Sequence, residues 1–196
     1  MGIYEIKKGN ISMKLTNWGA SIVSILLPDK NGKLDDILVG YDPMEAPMVK
    51  KYTNSHWPNC NSETPHDFLK PHTIVDNFNK LPKGYDINYV LDKSEGDFVK
   101  WAATVLDKKS ERKMEPWTNA PGMQFYTGSY PKVVRGKGGF VYHTHAGPRL
   151  QTQNFPDSFQ LEDPNPILTI LQFTTRTEDK AMVFWLVGLE PQTYSR

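Results

Sequence analysis

Short runs with a two-residue apolar/polar period recur along this chain. Residues 11–15 alternate apolar and polar side chains, and residues 22–27 form a compact apolar run. Such a period places every second side chain on one face, as in a half-buried strand. The polar stretch Asp29-Lys30-Asn31-Gly32-Lys33 separates that run from residues 37–41 and reads as a hairpin turn. Asn-Gly is its strongest element, because both residues tolerate positive φ. Further strands are predicted at 87–91 and 99–107, joined by the polar turn Lys93-Ser94-Glu95-Gly96. Others are predicted at 113–119 and 123–127, split by Pro121-Gly122, and at 140–145 and 149–152. Residues 167–174 and 181–189 predict one last hairpin.

Fifteen prolines and fourteen glycines leave few stretches that could hold a long helix. Many short strands at close spacing predict an all-β fold, an antiparallel sandwich. Residues 43–63 carry Pro43, Pro47 and Pro58 with little periodicity and read as a linker or irregular loop. Residues 159–166 are similar, since Asp163-Pro164-Asn165-Pro166 disfavours regular structure. At 196 residues the chain fits a single domain, 1–196.

Charge changes the picture by exclusion. Lys plus Arg is 23 against 22 for Asp plus Glu, a net charge of +1. A balanced surface argues against nucleic-acid and anionic-membrane partners, which need a basic footprint. Mean hydropathy is −0.54 and the hydrophobic share 38%, so the core is thin for this length. Cys60 is the only cysteine, which excludes an intrachain disulfide and suits a reducing compartment such as the cytoplasm. The first residues lack an apolar signal core, and Ile6 stands where a myristoylation motif wants Ser or Thr. The apolar runs fall short of the ~20 residues that span a bilayer.

The candidate chemistry lies in three blocks. The first, 10–42, contains Asn17-Trp18-Gly19-Ala20, Pro28-Asp29-Lys30-Asn31-Gly32 and Asp36-Ile37-Leu38-Val39-Gly40-Tyr41-Asp42. The second, 64–91, contains Thr64-Pro65-His66-Asp67-Phe68 and Gly84-Tyr85-Asp86-Ile87-Asn88-Tyr89. The third, 114–158, contains Pro121-Gly122-Met123-Gln124-Phe125-Tyr126-Thr127-Gly128 and Arg149-Leu150-Gln151-Thr152-Gln153-Asn154-Phe155-Pro156-Asp157-Ser158. In order and combination these blocks resemble the aldose 1-epimerases (galactose mutarotases), most closely plant-like members, in an internally shortened form.

The resemblance implies part of a galactose mutarotase-like β-supersandwich with central strands missing. It implies a hexose such as galactose or glucose as ligand, interconversion of α and β anomers as the family reaction, and no cofactor or metal. Asp86 matches the aspartate that holds sugar hydroxyls, and Gln124 a glutamine beside the substrate. Gln151 stands where the family signature Leu-Glu-Thr-Gln-Gly-Phe-Pro-Asp-Ser has its catalytic base. A carboxamide takes up no proton near neutral pH. The central region that carries the family's acid histidine has no counterpart, and residues 43–63 stand in its place. Ring opening needs a base at the anomeric hydroxyl and an acid at the ring oxygen, each contributing ~10²–10⁴-fold. The expectation is an isomerase by family whose activity is impaired or lost. The alternatives are a non-catalytic carbohydrate-binding or interaction module, and the product of a degenerate or mis-spliced gene. Strands deprived of partners leave edges open to self-association.

Read from the residues alone, Asp86 could cap the Gly84-Tyr85 turn, and Gln124 could pair with an edge backbone. His143 and His145 are expected on one strand face with Gln151, His145 about 20 Å away at ~3.3 Å per residue. His66 and His72 read as loop packing or exposed groups. His56, Cys60, His66 and His72 do not match a compact zinc spacing. Gly136-Lys137-Gly138-Gly139 lacks the rest of a phosphate-loop pattern. Trp57, Trp101, Trp117 and Trp185 read as core packing rather than stacking platforms.

Overall fold

The protein is seen in a computed structural model that describes residues 2–17, 21–40, 64–92, 98–129, 133–154, 167–175 and 178–188, with backbone alone at 167, 175 and 178–188. The expected irregular segments 43–63 and 159–166 lie outside the described residues, as do Trp18, Phe155-Pro156-Asp157-Ser158, His56 and Cys60.

The described residues form strands β1 (Ile3–Lys8), β2 (Ile11–Thr16), β3 (Ile22–Pro28), β4 (Leu34–Asp36), β5 (Asp86–Val90), β6 (Lys100–Trp101) and β7 (Val105–Asp107). There follow β8 (Arg112–Thr118), β9 (Gly122–Tyr126), β10 (Val133–Arg135), β11 (Val141–His143), β12 (Arg149–Gln153), β13 (Ile167–Thr175) and β14 (Glu178–Gly188). Two short 3₁₀ helices occupy Ile74–Lys80 and Lys137–Gly139. The predicted all-β class is what the chain adopts, in antiparallel sheets. Two compact units divide it: 1–40 with 93–120 and 161–196, and 41–92 with 121–160.

In the first unit, one sheet has the order β1-β2-β3-β4 and the other β14-β13-β8-β6, with β7 also paired to β8. The period-two pattern explains their contact. Ile11 and Met13 of β2, with Ile25 and Leu27 of β3, are buried against Phe173 of β13, and Met114 and Leu171 pack beside them. Burying a side chain of this size contributes ~1.5–3 kcal/mol. The predicted turn at 29–33 forms through Asp29, whose Oδ1 accepts the Asn31 and Lys33 N–H groups at 2.8 and 2.9 Å, while Gly32 takes a φ of 81°. Arg112 ties the two sheets together. Its Nε donates to the Leu27 and Pro28 carbonyls, and its NH2 to the Lys33 carbonyl and to Asp35 at 3.0 Å.

Several expectations need correction. The strand expected at 37–41 lies instead at 34–36: residues 37–40 are not strand, and beyond Asp36 the Ile37 N–H still bonds the Ile25 carbonyl while Asp36 Oδ1 accepts the Ile25 and Leu38 N–H groups. The strand expected at 99–107 is broken into β6 and β7. Both pair with β8, and the break at 102–104 faces Pro116, which has no N–H to offer the ladder. The strands at 87–91 and 99–107 are not hairpin partners: β5 pairs with β9, and β6 and β7 with β8. Trp101 is not core, being 55% exposed with its Nε1 donating to Thr104. Sequence reading missed β1, exposed along its whole length, as well as β10 and the helix at Ile74–Lys80. The closing hairpin of β13 and β14 forms as predicted, with one register irregularity after Phe173.

Candidate functional site

The second unit contains the three-stranded sheet β12-β9-β5 and the small ribbon β10-β11. Its geometry starts at Gly84, where φ is 66° and an added Cβ would collide with the Thr127 hydroxyl and the His145 ring. Glycine is required on both counts. The chain then enters Tyr85, which is fully buried. The Tyr85 N–H donates to Thr127 Oγ1 at 3.0 Å, its carbonyl accepts the Thr127 N–H, and its hydroxyl donates to the Pro65 carbonyl at 3.1 Å. Phe68, Phe78 and Phe125 surround its ring, and the Tyr89 hydroxyl holds the His66 carbonyl at 2.8 Å. This cluster fixes the 64–68 block beneath the sheet and leaves Asp86 as the first residue of β5.

Register then separates the two faces. Asp86 lies opposite Tyr126, which lies opposite Arg149; Asn88 lies opposite Gln124, which lies opposite Gln151. Directly opposed residues share a face. One face therefore carries Asp86, Asn88, Gln124, Tyr126, Arg149 and Gln151, while Ile87, Tyr89, Met123, Phe125 and Leu150 take the other. The three residues singled out from sequence come together on the polar face.

Gln124 Nε2 donates to Asp86 Oδ1 at 2.8 Å. The Asp86 carboxylate and the Gln124 amide therefore bond each other side chain to side chain. Gln151 is exposed on β12, which pairs only with β9 and so forms the sheet's edge among the described residues. The Arg149 guanidinium lies over the Tyr126 ring at 5.9 Å from its centroid. Pro148 precedes the strand and removes no ladder bond from within it. The arrangement offers a carboxylate acceptor and two amides, a set suited to hydroxyl groups. Neither amide can accept a proton at neutral pH.

The histidines do not join this row. β11 ends at His143, and His145 turns out of the strand with a φ of 65°, so the expected common strand with Gln151 is absent. The His145 ring packs on Phe78, with Nδ1 near Thr127. His72 stacks on Phe68 at 4.3 Å, as packing in the loop predicted. His66 is held near Tyr85 with Nδ1 buried and unpartnered, and burial pushes its pKa below the ordinary 6.5. Among the described residues no three His, Cys, Asp or Glu side chains gather as metal ligands.

One residue of the polar face was missed. Asn88 is 3% exposed, and neither atom of its amide has a hydrogen-bond partner among the described residues. The only signal available was its place two residues after Asp86, which puts both on one strand face.

The sequence profile of the aldose 1-epimerase family matches residues 44–181. That span takes in 44–63 and 159–166, which read as irregular, and leaves the 10–42 block outside. The chain is 43% identical over 76 residues to galactose mutarotase of Mus musculus, covering 38% of this chain and 22% of that protein. It is 41% identical over 86 residues to galactose mutarotase of Rattus norvegicus, covering 43% and 25%. It is 31% identical over 85 residues to aldose 1-epimerase of Escherichia coli, covering 43% and 24%. The matched stretch spans about a quarter of the length of these relatives. With a family match over most of its residues and an all-β fold, this chain belongs to the aldose 1-epimerase family.

Proposed function

We propose that the polar face of the β12-β9-β5 sheet is a hexose-binding surface in which Asp86 and Gln124 hold ring hydroxyls, and in which proton transfer at the anomeric centre is impaired or lost. The observation that carries this reading is the Asp86–Gln124 hydrogen bond at 2.8 Å beside Gln151. A carboxylate paired with an amide presents acceptors and donors to a vicinal diol, and similarity to galactose mutarotases favours galactose or glucose as the sugar. At Gln151 the charge and basicity of a carboxylate are absent, so the residue can orient a hydroxyl but cannot deprotonate it. The whole chain, 1–196, is read as one domain of this kind, working in the cytoplasm without a cofactor.

The test is polarimetry on freshly dissolved α-galactose and α-glucose together with titration calorimetry on the same sugars. Binding heats with an uncatalysed rate of anomer interconversion support the proposal. A catalysed rate near that of an intact relative would refute the impaired activity, and flat heats with both sugars would refute the binding surface. A second reading, an interaction module that pairs through strand edges, draws on the one-sided ladder of β12. Sedimentation would detect such self-association.

A further inference from the structure

Asn88 sits in the sheet at an energetic disadvantage. It is 3% exposed, and both Oδ1 and Nδ2 lack a partner among the described residues. Each unmet buried polar group costs ~1–3 kcal/mol. A buried polar group left unmet calls for an explanation, and a role in function is one. Its surroundings define that role. Asn88 lies directly opposite Gln124 on the same face, and directly opposed side chains start from Cβ atoms ~4.5–5.5 Å apart. Gln124 nevertheless reaches along the diagonal, past Asn88, and gives its Nε2 to Asp86 at 2.8 Å. An ionised acceptor outbids a neutral amide for the same donor.

We propose that Asn88 is a positioning residue for a polyol ligand: once sugar hydroxyls occupy the Asp86 carboxylate, the released Gln124 amide turns across the ladder and donates to Asn88. This rests on the reading of Asp86 and Gln124 as hydroxyl anchors. In the free protein Gln124 neutralises the hydrogen-bonding demand of Asp86 and Asn88 goes without. In the liganded protein the sugar satisfies Asp86, Gln124 satisfies Asn88, and Gln124 stays ordered beside the ligand instead of turning into solvent. The ligand class is a pyranose or other polyol with adjacent hydroxyls, able to satisfy a carboxylate as fully as the amide it displaces.

A double-mutant cycle reads this directly. Asn88→Leu, Gln124→Leu and the double variant are compared with the unsubstituted chain by titration calorimetry with galactose and glucose, and by thermal melting. Asn88→Leu is expected to weaken binding about 5- to 10-fold, the equivalent of one neutral hydrogen bond. It is expected to melt no lower than the parent. The double variant is expected to bind no more weakly than Gln124→Leu alone, because the second bond does not exist without Gln124. Should Asn88→Leu fail to fold, Asn88→Thr serves in the same cycle. Unchanged affinity in the Asn88 variant, or losses that multiply in the double variant, overturns the proposal while leaving the anchor reading intact. A melting temperature that falls with an unchanged affinity assigns Asn88 a structural role and also overturns it. Absence of any binding heat in the parent chain overturns both the anchors and Asn88.

Discussion

Gln151 lies directly across the ladder from Gln124, the residue whose amide donates to Asp86. The two amides share one face of the sheet, and residue 151 offers no proton acceptor there. Gln151→Glu is therefore expected to raise the rate of anomer interconversion. On the proposed reading this row has no acid partner among the described residues, so the gain belongs at the lower end of what one base supplies, about 10²-fold. Polarimetry of the variant beside its parent measures it, and no change in rate would separate Gln151 from the chemistry.

Arg112 and Asp35 form an ion pair at 3.0 Å, but the two partners differ in weight. Asp35 is 43% exposed, and exposed pairs contribute ~0–1 kcal/mol. Arg112 is 14% exposed and also donates to the carbonyls of Leu27, Pro28 and Lys33. Urea unfolding of Asp35→Ala is expected to show a loss below about 1 kcal/mol, and of Arg112→Ala a loss of about 2–4 kcal/mol. Arg112→Lys keeps the charge but not the fork, and belongs between them.

Gly84 combines a φ of 66° with a space that Thr127 and His145 already fill. Gly84→Ala is expected to cost more than about 2 kcal/mol, since strain and collision add. Thermal melting checks this, and the variant should lose sugar binding with its Tyr85 contacts.

Burial lowers the pKa of His66 below 6.5. The unfolded chain then binds more protons than the folded one once the pH drops below 6.5, so stability falls with pH through that window. In the other unit, Asp35 is held below 3.8 chiefly by its hydrogen bond to Arg112, and Asp107 chiefly by its hydrogen bond to Ser110. Those two contributions are present above 3.8 and are lost as the pH falls below it. Melting curves between pH 7 and pH 5 are expected to shift downward for the parent and to flatten in His66→Gln, while a separate acid loss below about pH 4 survives that substitution.

Much of the fold was legible because its strands alternate over a buried face. Ile11 and Met13, or Met123 and Phe125, announce both a strand and the side it hides. What escaped was governed from a distance. β1 carries no alternating pattern and exists through its pairing with β2. The split between β6 and β7 answers to Pro116, remote in sequence. The site divides in the same way. Asp86, Gln124 and Gln151 could each be picked out from their motifs. Their meeting depends on the register of three strands, which no local segment specifies. Asn88 gave no sign of its unmet amide, because burial and partner count are properties of the assembled sheet.

Tyr85 and Asp86 are consecutive, and the pleat points the ring into the apolar cluster and the carboxylate to the opposite side. Anything that loosens the ring swings the carboxylate with it, like two ends of one lever. On the proposed hexose-binding reading, recognition on that face has no separate flexibility of its own: the temperature at which the packing around Tyr85 melts should be the temperature at which affinity for a sugar vanishes.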